Sequence, residues 1–302
     1  MSLLALGLVL VSAILHAGWN FVGKTRTPTS SFFLVANATG FLLLSPLLIL
    51  HTDVMRSWPQ AVWWGLVLTG FFQALYCTSL AAAYRSGDIS IAYPMARSSP
   101  ILVVMATTFL LGRGGQLSTW CALGATLIVV GCFLIPMRRF TDLSLRNYWN
   151  ASCLFALVAA VGTAGYSIVD DETLRYLRNI SDWSASLVER SLLFACWQAL
   201  SSTCWLLLQI ISRPVSRSSL RRVLRDDRWI AASAGVAIYV TYGLVLVAMA
   251  FAQNISYIVA FRQISIPIGV SMGVLFLGES LSGPKIMGVL VLLVGLAFVA
   301  FG

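Results

Sequence analysis

The sequence predicts an all-α, polytopic membrane protein with ten transmembrane helices arranged as a 5+5 inverted repeat. Three observations carry this expectation. The composition leaves too few charges to cover a water-facing surface, ten apolar segments are long enough to cross a bilayer, and short patterns recur five segments apart. Of 302 residues, 59% are hydrophobic and 10% charged, where a soluble chain would carry roughly a quarter charged residues. Mean hydropathy is +0.86. The formal charge of +9 is spread as short basic clusters between apolar segments, the placement read by anionic headgroups and the insertion machinery. No basic face interleaved with aromatic residues remains outside the membrane, so no nucleic-acid partner is expected.

A crossing takes about 20 mostly apolar residues. Segments meeting this fall at roughly 3–23, 30–50, 60–84, 89–111, 116–136, 150–170, 184–211, 229–252, 255–277 and 284–301. The first lacks the basic start and the small-residue cleavage pattern of a signal peptide, so it is expected to stay as a helix. The second carries Asn37. The third runs into the polar turn Arg85–Asp88, and the fourth contains Tyr93, Pro94, Arg97 and Pro100. The fifth is punctuated by Gly124 and Gly131. The sixth is followed by Asp170, Asp171 and Glu172, three adjacent acids expected as a solvated helix end. Glu189 and Arg190 open the seventh and are expected to be structural. The ninth holds Arg262, Gln263 and Pro267, and the tenth Gly288 and Gly295. The longest connections, 137–149, 171–183 and 212–228, are too short for a soluble domain. One integral membrane domain is therefore expected, with five-helix halves at 1–137 and 149–302.

Internal repetition sets the orientation of the halves. Ala17-Gly18-Trp19 in the first segment is echoed by Ala164-Gly165-Tyr166 in the sixth. Ile89-Ser90-Ile91 in the fourth is echoed by Ile255-Ser256-Tyr257 in the ninth, and the spacing Gly124 to Gly131 repeats as Gly288 to Gly295. Five is odd, so matching segments cross in opposite directions. That is an inverted repeat, with a substrate site expected near the midplane where the halves meet.

Basic residues set the topology. The connections after the odd-numbered segments carry Lys24, Arg26, Arg85, Arg138, Arg139, Arg146, Arg213, Arg217, Arg221, Arg222, Arg225, Arg228 and Lys285, against Arg56, Arg113, Arg175 and Arg178 on the other face. Thirteen against four, with six of the thirteen in one loop, places the 212–228 loop in the cytoplasm and both termini outside a plasma (inner) membrane.

Arginines at membrane depth need a reason, because each costs on the order of 2.5–3.5 kcal/mol unless it faces water or a partner. Arg97 and Arg262 occupy comparable depths in the fourth and ninth segments. They are expected to line the central pathway and attract a carboxylate or phosphate. Bonding to carbonyls freed by nearby prolines, or snorkelling to the interface, are the structural alternatives. Pro94, Pro100 and Pro267 are expected to kink or interrupt their helices, exposing backbone dipoles or only adjusting packing. His16, Trp19 and Asn20 share one side of the first helix at i, i+3 and i+4, as a cavity lining or an interhelical hydrogen bond. His16 also has a pKa range that permits proton coupling. Tyr93, one turn before Arg97, Tyr166 with Ser167, and Gln263 complete the candidate substrate-binding set. The glycines of the fifth and tenth helices are expected to pack the halves together or to support a homodimer.

The six cysteines, Cys77, Cys121, Cys132, Cys153, Cys196 and Cys204, fall within apolar segments without a C-x-x-C pair. They are expected as small buried hydrophobes, and neither a metal nor a cofactor is expected. There is no G-x-x-x-x-G-K-[ST] loop, no H-E-x-x-H and no G-x-S-x-G, so neither ATP-driven transport nor an enzyme is expected.

The segments His16-Ala17-Gly18-Trp19-Asn20-Phe21-Val22-Gly23-Lys24, Tyr84 to Pro100, and Leu277-Gly278-Glu279-Ser280-Leu281-Ser282 with the following Gly288/Gly295 helix carry a family resemblance. With them the chain resembles the EamA-like branch of the drug/metabolite transporter superfamily over nearly its whole length. The resemblance implies ten helices around a central cavity and transport without ATP hydrolysis, with amino acids, other small metabolites and nucleotide-activated sugars among the family's substrates. Two features depart from it. Family members are described with both termini cytoplasmic, and they often carry an arginine in the second span, where this chain has Asn37; Arg190 lies at the comparable place in the seventh. The expected function is secondary transport, more so export, of a small organic metabolite bearing an anionic group, by alternating access. Amino acids or related carboxylates come first and phosphorylated metabolites second. A lipid flippase or lipid-carrier translocator is the alternative, ahead of a non-transporting scaffold.

Overall fold

The computed structural model describes residues 3–23, 29–86, 89–110, 112, 114–142, 149–179, 185–252, 255–278 and 280–301, and every element among them is helical. In chain order these are α1 (Leu3–Gly23), α2 (Ser30–Leu44), α3 (Pro46–Leu50), α4 (Thr52–Arg56), α5 (Gln60–Ser86), α6 (Ile89–Leu110), α7 (Thr119–Leu134), α8 (Ala151–Arg178), α9 (Leu187–Ile211), α10 (Pro214–Arg222), α11 (Arg228–Ala250), α12 (Ile255–Phe261), α13 (Ser265–Leu277) and α14 (Gly283–Phe301). Seven stretches of the described chain are long and apolar enough to cross a bilayer: Ser30–Leu50, Gln60–Ala83, Ala151–Arg178, Leu187–Ile211, Ser216–Ala250, Ile255–Phe276 and Gly283–Ala300. Leu3–Gly18, Pro100–Leu110 and Thr119–Leu134 are apolar but shorter.

Local chemistry places the ends. In lipid no water is available for the free N–H groups of a first turn, so side chains supply the acceptors. Thr29 accepts from Phe32 N–H at 3.2 Å, Ser118 from Cys121 at 3.0 Å and Asn150 from Cys153 at 2.9 Å. Ser186 and Glu189 form a reciprocal capping box at α9. Gly278 ends α13 with φ 64°, a left-handed turn that only glycine adopts without strain.

Two elements refine the reading of the sequence. The sixth segment does not end at residue 170. α8 continues to Arg178 because its acids and bases lock successive turns: Asp171 receives Arg175 at 2.9 Å and faces Arg178 at 3.8 Å. The ninth segment is interrupted, as its proline predicts. Pro267 cannot donate to the carbonyl of Gln263, and a 3₁₀ turn at Arg262–Ile264 separates α12 from α13.

The helices pack in a defined set of pairs. α5 lies along α8, and α1 along α11. α2 packs on α9, α7 on α14, α5 on α9, α2 on α11, α6 on α8, and α1 on α13. The α7–α14 contact is made by backbone. A Cβ on Gly124 would stand 2.5 Å from the carbonyl oxygen of Gly295, and one on Gly295 would stand 2.6 Å from that of Gly124. Gly131 and Gly288 repeat the relationship at 2.6 and 2.8 Å. These small faces are thus used within the chain. Leu42, Trp64, Leu110, Leu208, Leu275 and Leu293 point outward, as suits a lipid-facing surface. Five cysteines are buried, but Cys204 is exposed on the outer face of α9, contrary to the expectation for it.

Candidate functional site

The centre of the bundle is polar where the apolar helices would lead one to expect hydrocarbon. α8 presents Tyr166, Ser167 and Asp170 on one face, at i, i+1 and i+4. Asp170 is fully buried. This corrects the expectation that the three acids form a solvated helix end: Asp170 and Asp171 are both buried inside a continuing helix. Thr69 of α5 donates to Asp170 Oδ1 at 2.5 Å, and the hydroxyl of Tyr242 on α11 donates to Oδ2. Arg262, in the 3₁₀ turn, is close enough to act on the carboxylate electrostatically. A buried carboxylate needs compensating partners; α5 and α11 supply hydroxyl donors, and the Arg262 charge acts on it without a direct ion pair among the described residues.

Aromatic rings carry the site outward. Tyr166 meets Tyr242 edge-to-face at 6.1 Å and Tyr76 of α5 at 6.0 Å, and Tyr242 meets Tyr239 at 6.3 Å. The Tyr239 hydroxyl donates to Asn37 Oδ1 at 2.6 Å, which also accepts from Ser202 at 2.7 Å. Asn37 Nδ2 donates to the Phe33 carbonyl at 2.7 Å. Gly40 stands where any side chain would overlap the Tyr239 ring. The chain Asn37–Tyr239–Tyr242–Asp170–Thr69 therefore crosses the core from α2 to α5. Along its margins several buried polar atoms have no hydrogen-bond partner among the described residues: Ser167 Oγ, Gln73 Oε1, Gln198 Nε2 and Gln263 Oε1.

Of the residues singled out in the sequence, Tyr166, Arg262 and Gln263 belong to this region. Gln263 is buried, donating to the Val259 carbonyl at 3.2 Å. His16 lies half-buried on α1, the helix that packs on α11 and on the Arg262–Ile264 turn. The side chains of Trp19, Asn20, Tyr93 and Arg97 lie outside the described ones, as do Lys24 and Glu279. Glu189 and Arg190 make contacts at helix ends. Glu189 caps α9 and faces His51 at 3.7 Å, while Arg190 donates to the carbonyls of Ala185 at 2.9 Å and Leu177 at 2.8 Å. Sequence reasoning missed Asp170, Thr69, Tyr242, Tyr239, Asn37, Ser202, Gln198 and Gln73. The signal for Asp170 was present in its helical spacing from Tyr166, the same i, i+4 rule that grouped His16 with Asn20.

The comparisons bear on what a polar core in an apolar bundle serves. Residues 3–137 match the EamA-like transporter family. Over those residues the chain is similar to this family, which lies in the drug/metabolite transporter superfamily and consists of transporters rather than enzymes, and the likeness favours a multi-pass membrane transporter. One solved structure, titled only "Crystal structure of protein", superposes with a TM-score of 0.70 over 98% of this chain and 97% of its own, at 14% identity. At that identity the likeness is one of fold alone. No curated protein matches the sequence.

Proposed function

We propose that the protein is a secondary transporter that exports small organic metabolites bearing an anionic group, amino acids first and phosphorylated metabolites second, by alternating access in the plasma (inner) membrane. The observation that carries the reading is the buried carboxylate of Asp170 on α8, on which the charge of half-buried Arg262 in the interrupted ninth segment acts. A carboxylate in the substrate complements Arg262, an ammonium group complements Asp170, and the tyrosine faces of Tyr166 and Tyr242 offer an apolar wall between them. The burial of this network favours a soluble metabolite over a lipid.

A ten-span, 5+5 inverted arrangement is supported by the packing pairs. Advancing each segment by five turns α5–α8 into α11–α1, α5–α9 into α11–α2, and α6–α8 into the ninth segment on α1, while α2–α9 and α7–α14 map onto themselves. The reciprocal Gly124/Gly295 and Gly131/Gly288 contacts obey the same rule. The 212–228 loop is assigned to the cytoplasm on its basic residues.

The test is transport of a metabolite panel by purified protein in proteoliposomes, with Arg262→Ala and Arg97→Ala alongside. The expected result is saturable movement of carboxylate-bearing solutes that Arg262→Ala abolishes. Wild-type rates in both folded variants would overturn charge recognition.

A further inference from the structure

The last two helices lean on different neighbours. α13 packs on α1, while α14 packs on α7 through the glycine seam. Between α13 and α14 lies a groove of about 320 Å³, bounded by Val274 and Leu275 on one side and Ile286 and Leu290 on the other. Leu281 and Lys285 close the end nearest the connection. Leu275 is 76% exposed and Leu290 53%, so the groove opens on the outer surface rather than on the core. Its volume is near the lower bound of small-ligand sites, roughly 300–1,000 Å³, which suits a slender occupant. Ser271 also lines it, but its hydroxyl is spent on the Pro267 carbonyl at 2.9 Å. The walls are therefore apolar, and Lys285 is the one ionisable lining residue among the described ones.

More cations gather at the Lys285 end. The Ser282 hydroxyl donates to the Met137 carbonyl at 2.8 Å and accepts from the Lys285 N–H at 3.3 Å. A Cβ on Gly283 would stand 3.8 Å from the Phe140 ring. The stretch that follows α7 is thus pinned against the start of α14. It carries Arg138 and Arg139, both exposed. Two acids lie near them. Asp142 turns Oδ2 onto the backbone N–H groups of Arg138 and Arg139, at 3.0 and 2.8 Å, and the side chain of Glu279 is outside the described ones. Three cations against two carboxylates leave this end positive. A soluble anion would gain nothing from the leucine walls, and a neutral lipid nothing from the cations. A negatively charged lipid uses both.

We propose that the groove between α13 and α14 binds an anionic phospholipid of the surrounding bilayer, with one acyl chain along Val274, Leu275 and Leu290 and the phosphate at Lys285. Lys285 serves as a point charge for the phosphate, and Arg138 and Arg139 add guanidinium donors from the neighbouring stretch. The acyl chain fills the space that the two helices leave by packing on different partners. The site is on the outer surface, apart from the buried Asp170 network, so it holds whatever solute the core carries. Its leaflet is that of the basic face, the side assigned to the cytoplasm, where anionic lipids concentrate. The bound lipid bridges α13, which begins directly after the Arg262–Ile264 turn, to α14, which carries the glycine seam.

The test uses the full-length protein in neutral detergent, with dioleoyl phosphatidylglycerol as the anionic probe and dioleoyl phosphatidylcholine as a probe with the same chains and no net charge. Titrations followed by native mass spectrometry should show tighter binding of phosphatidylglycerol. Lys285→Gln should weaken it about fivefold, the worth of one basic residue near an anionic headgroup, and leave phosphatidylcholine unchanged. Lys285→Arg should keep the wild-type preference. Leu290→Trp, which fills the groove, should weaken both lipids. Leu293→Trp, on the exposed side of the same helix but outside the groove, should weaken neither, so loss of the site is separated from loss of the fold. Glycerol phosphate, the headgroup without chains, should not displace the lipid. Equal binding of the two lipids would overturn the proposal, as would a preference that survives Lys285→Gln combined with Arg138→Gln and Arg139→Gln. Displacement by glycerol phosphate would assign the cations to a soluble anion instead. A doubled mass that Leu290→Trp returns to the monomer would assign the groove to a second copy of the chain, and either result overturns the lipid site.

Discussion

The hydroxyl of Tyr242 on α11 is bonded to the carboxylate of Asp170 on α8, and both side chains are buried in the bundle core. Neither group can turn to water, so each depends on the other. Tyr242→Phe should therefore lower stability by about 1–3 kcal/mol, the cost of orphaning a buried polar partner. Thermal unfolding in detergent measures it. A shift no larger than that of an exposed Tyr176→Phe control would show that the bond contributes nothing.

Asn37 has an analogous position. Its Oδ1 accepts from both Tyr239 and Ser202. Asn37→Ala leaves two hydroxyls without an acceptor and opens space beside Gly40, so a loss of about 2–4 kcal/mol is expected. Pairing it with Tyr239→Phe in a double-mutant cycle should give a combined loss smaller than the sum.

The glycine seam makes a sharper prediction. Gly124→Val and Gly295→Val each force a side chain against the partner's carbonyl. Each should destabilise by about 1–3 kcal/mol or more, with further loss when the two are combined prevented by the separation that the first has already caused. Melting temperatures of the three variants read this directly. Additive losses would mean that α7 and α14 adjust independently.

Arg190→Ala should separate structure from transport. It frees the Leu177 and Ala185 carbonyls at the α8–α9 connection, so thermal stability should fall while the KM for any transported solute stays at the wild-type value. A changed KM at unchanged stability would place Arg190 in the substrate path instead.

Maleimide labelling of single cysteines introduced at 212–228, in a background without Cys204, reads the sidedness. Labelling should require access from the cytoplasmic face, as the six arginines there predict. Labelling from outside intact cells would invert the whole topology.

Helices were legible because membrane crossing is written in runs of apolar residues; seven stretches of the described chain are long and apolar enough to cross, and three of the expected segments hold shorter apolar helices. The exception is instructive. Asp170 ends the apolar run of the sixth segment, so hydropathy reads it as a boundary; its burial depends on Thr69, 101 residues away, and on Tyr242, 72 residues ahead. Arg262 was visible alone because a lone arginine in an apolar run is anomalous whatever its partners. Asn37, Ser202, Tyr239 and Gln198 are ordinary membrane-helix residues singly, and only their convergence marks them.

The backbone contact between α7 and α14 has a mechanical meaning. Side chains at an interface can slip between rotamers and let two helices slide, but Gly124, Gly131, Gly288 and Gly295 have none to rearrange. In the alternating access proposed above, this seam would serve as an axle, and the movement would be borne by the helices that meet through tyrosines, hydroxyls and a 3₁₀ turn.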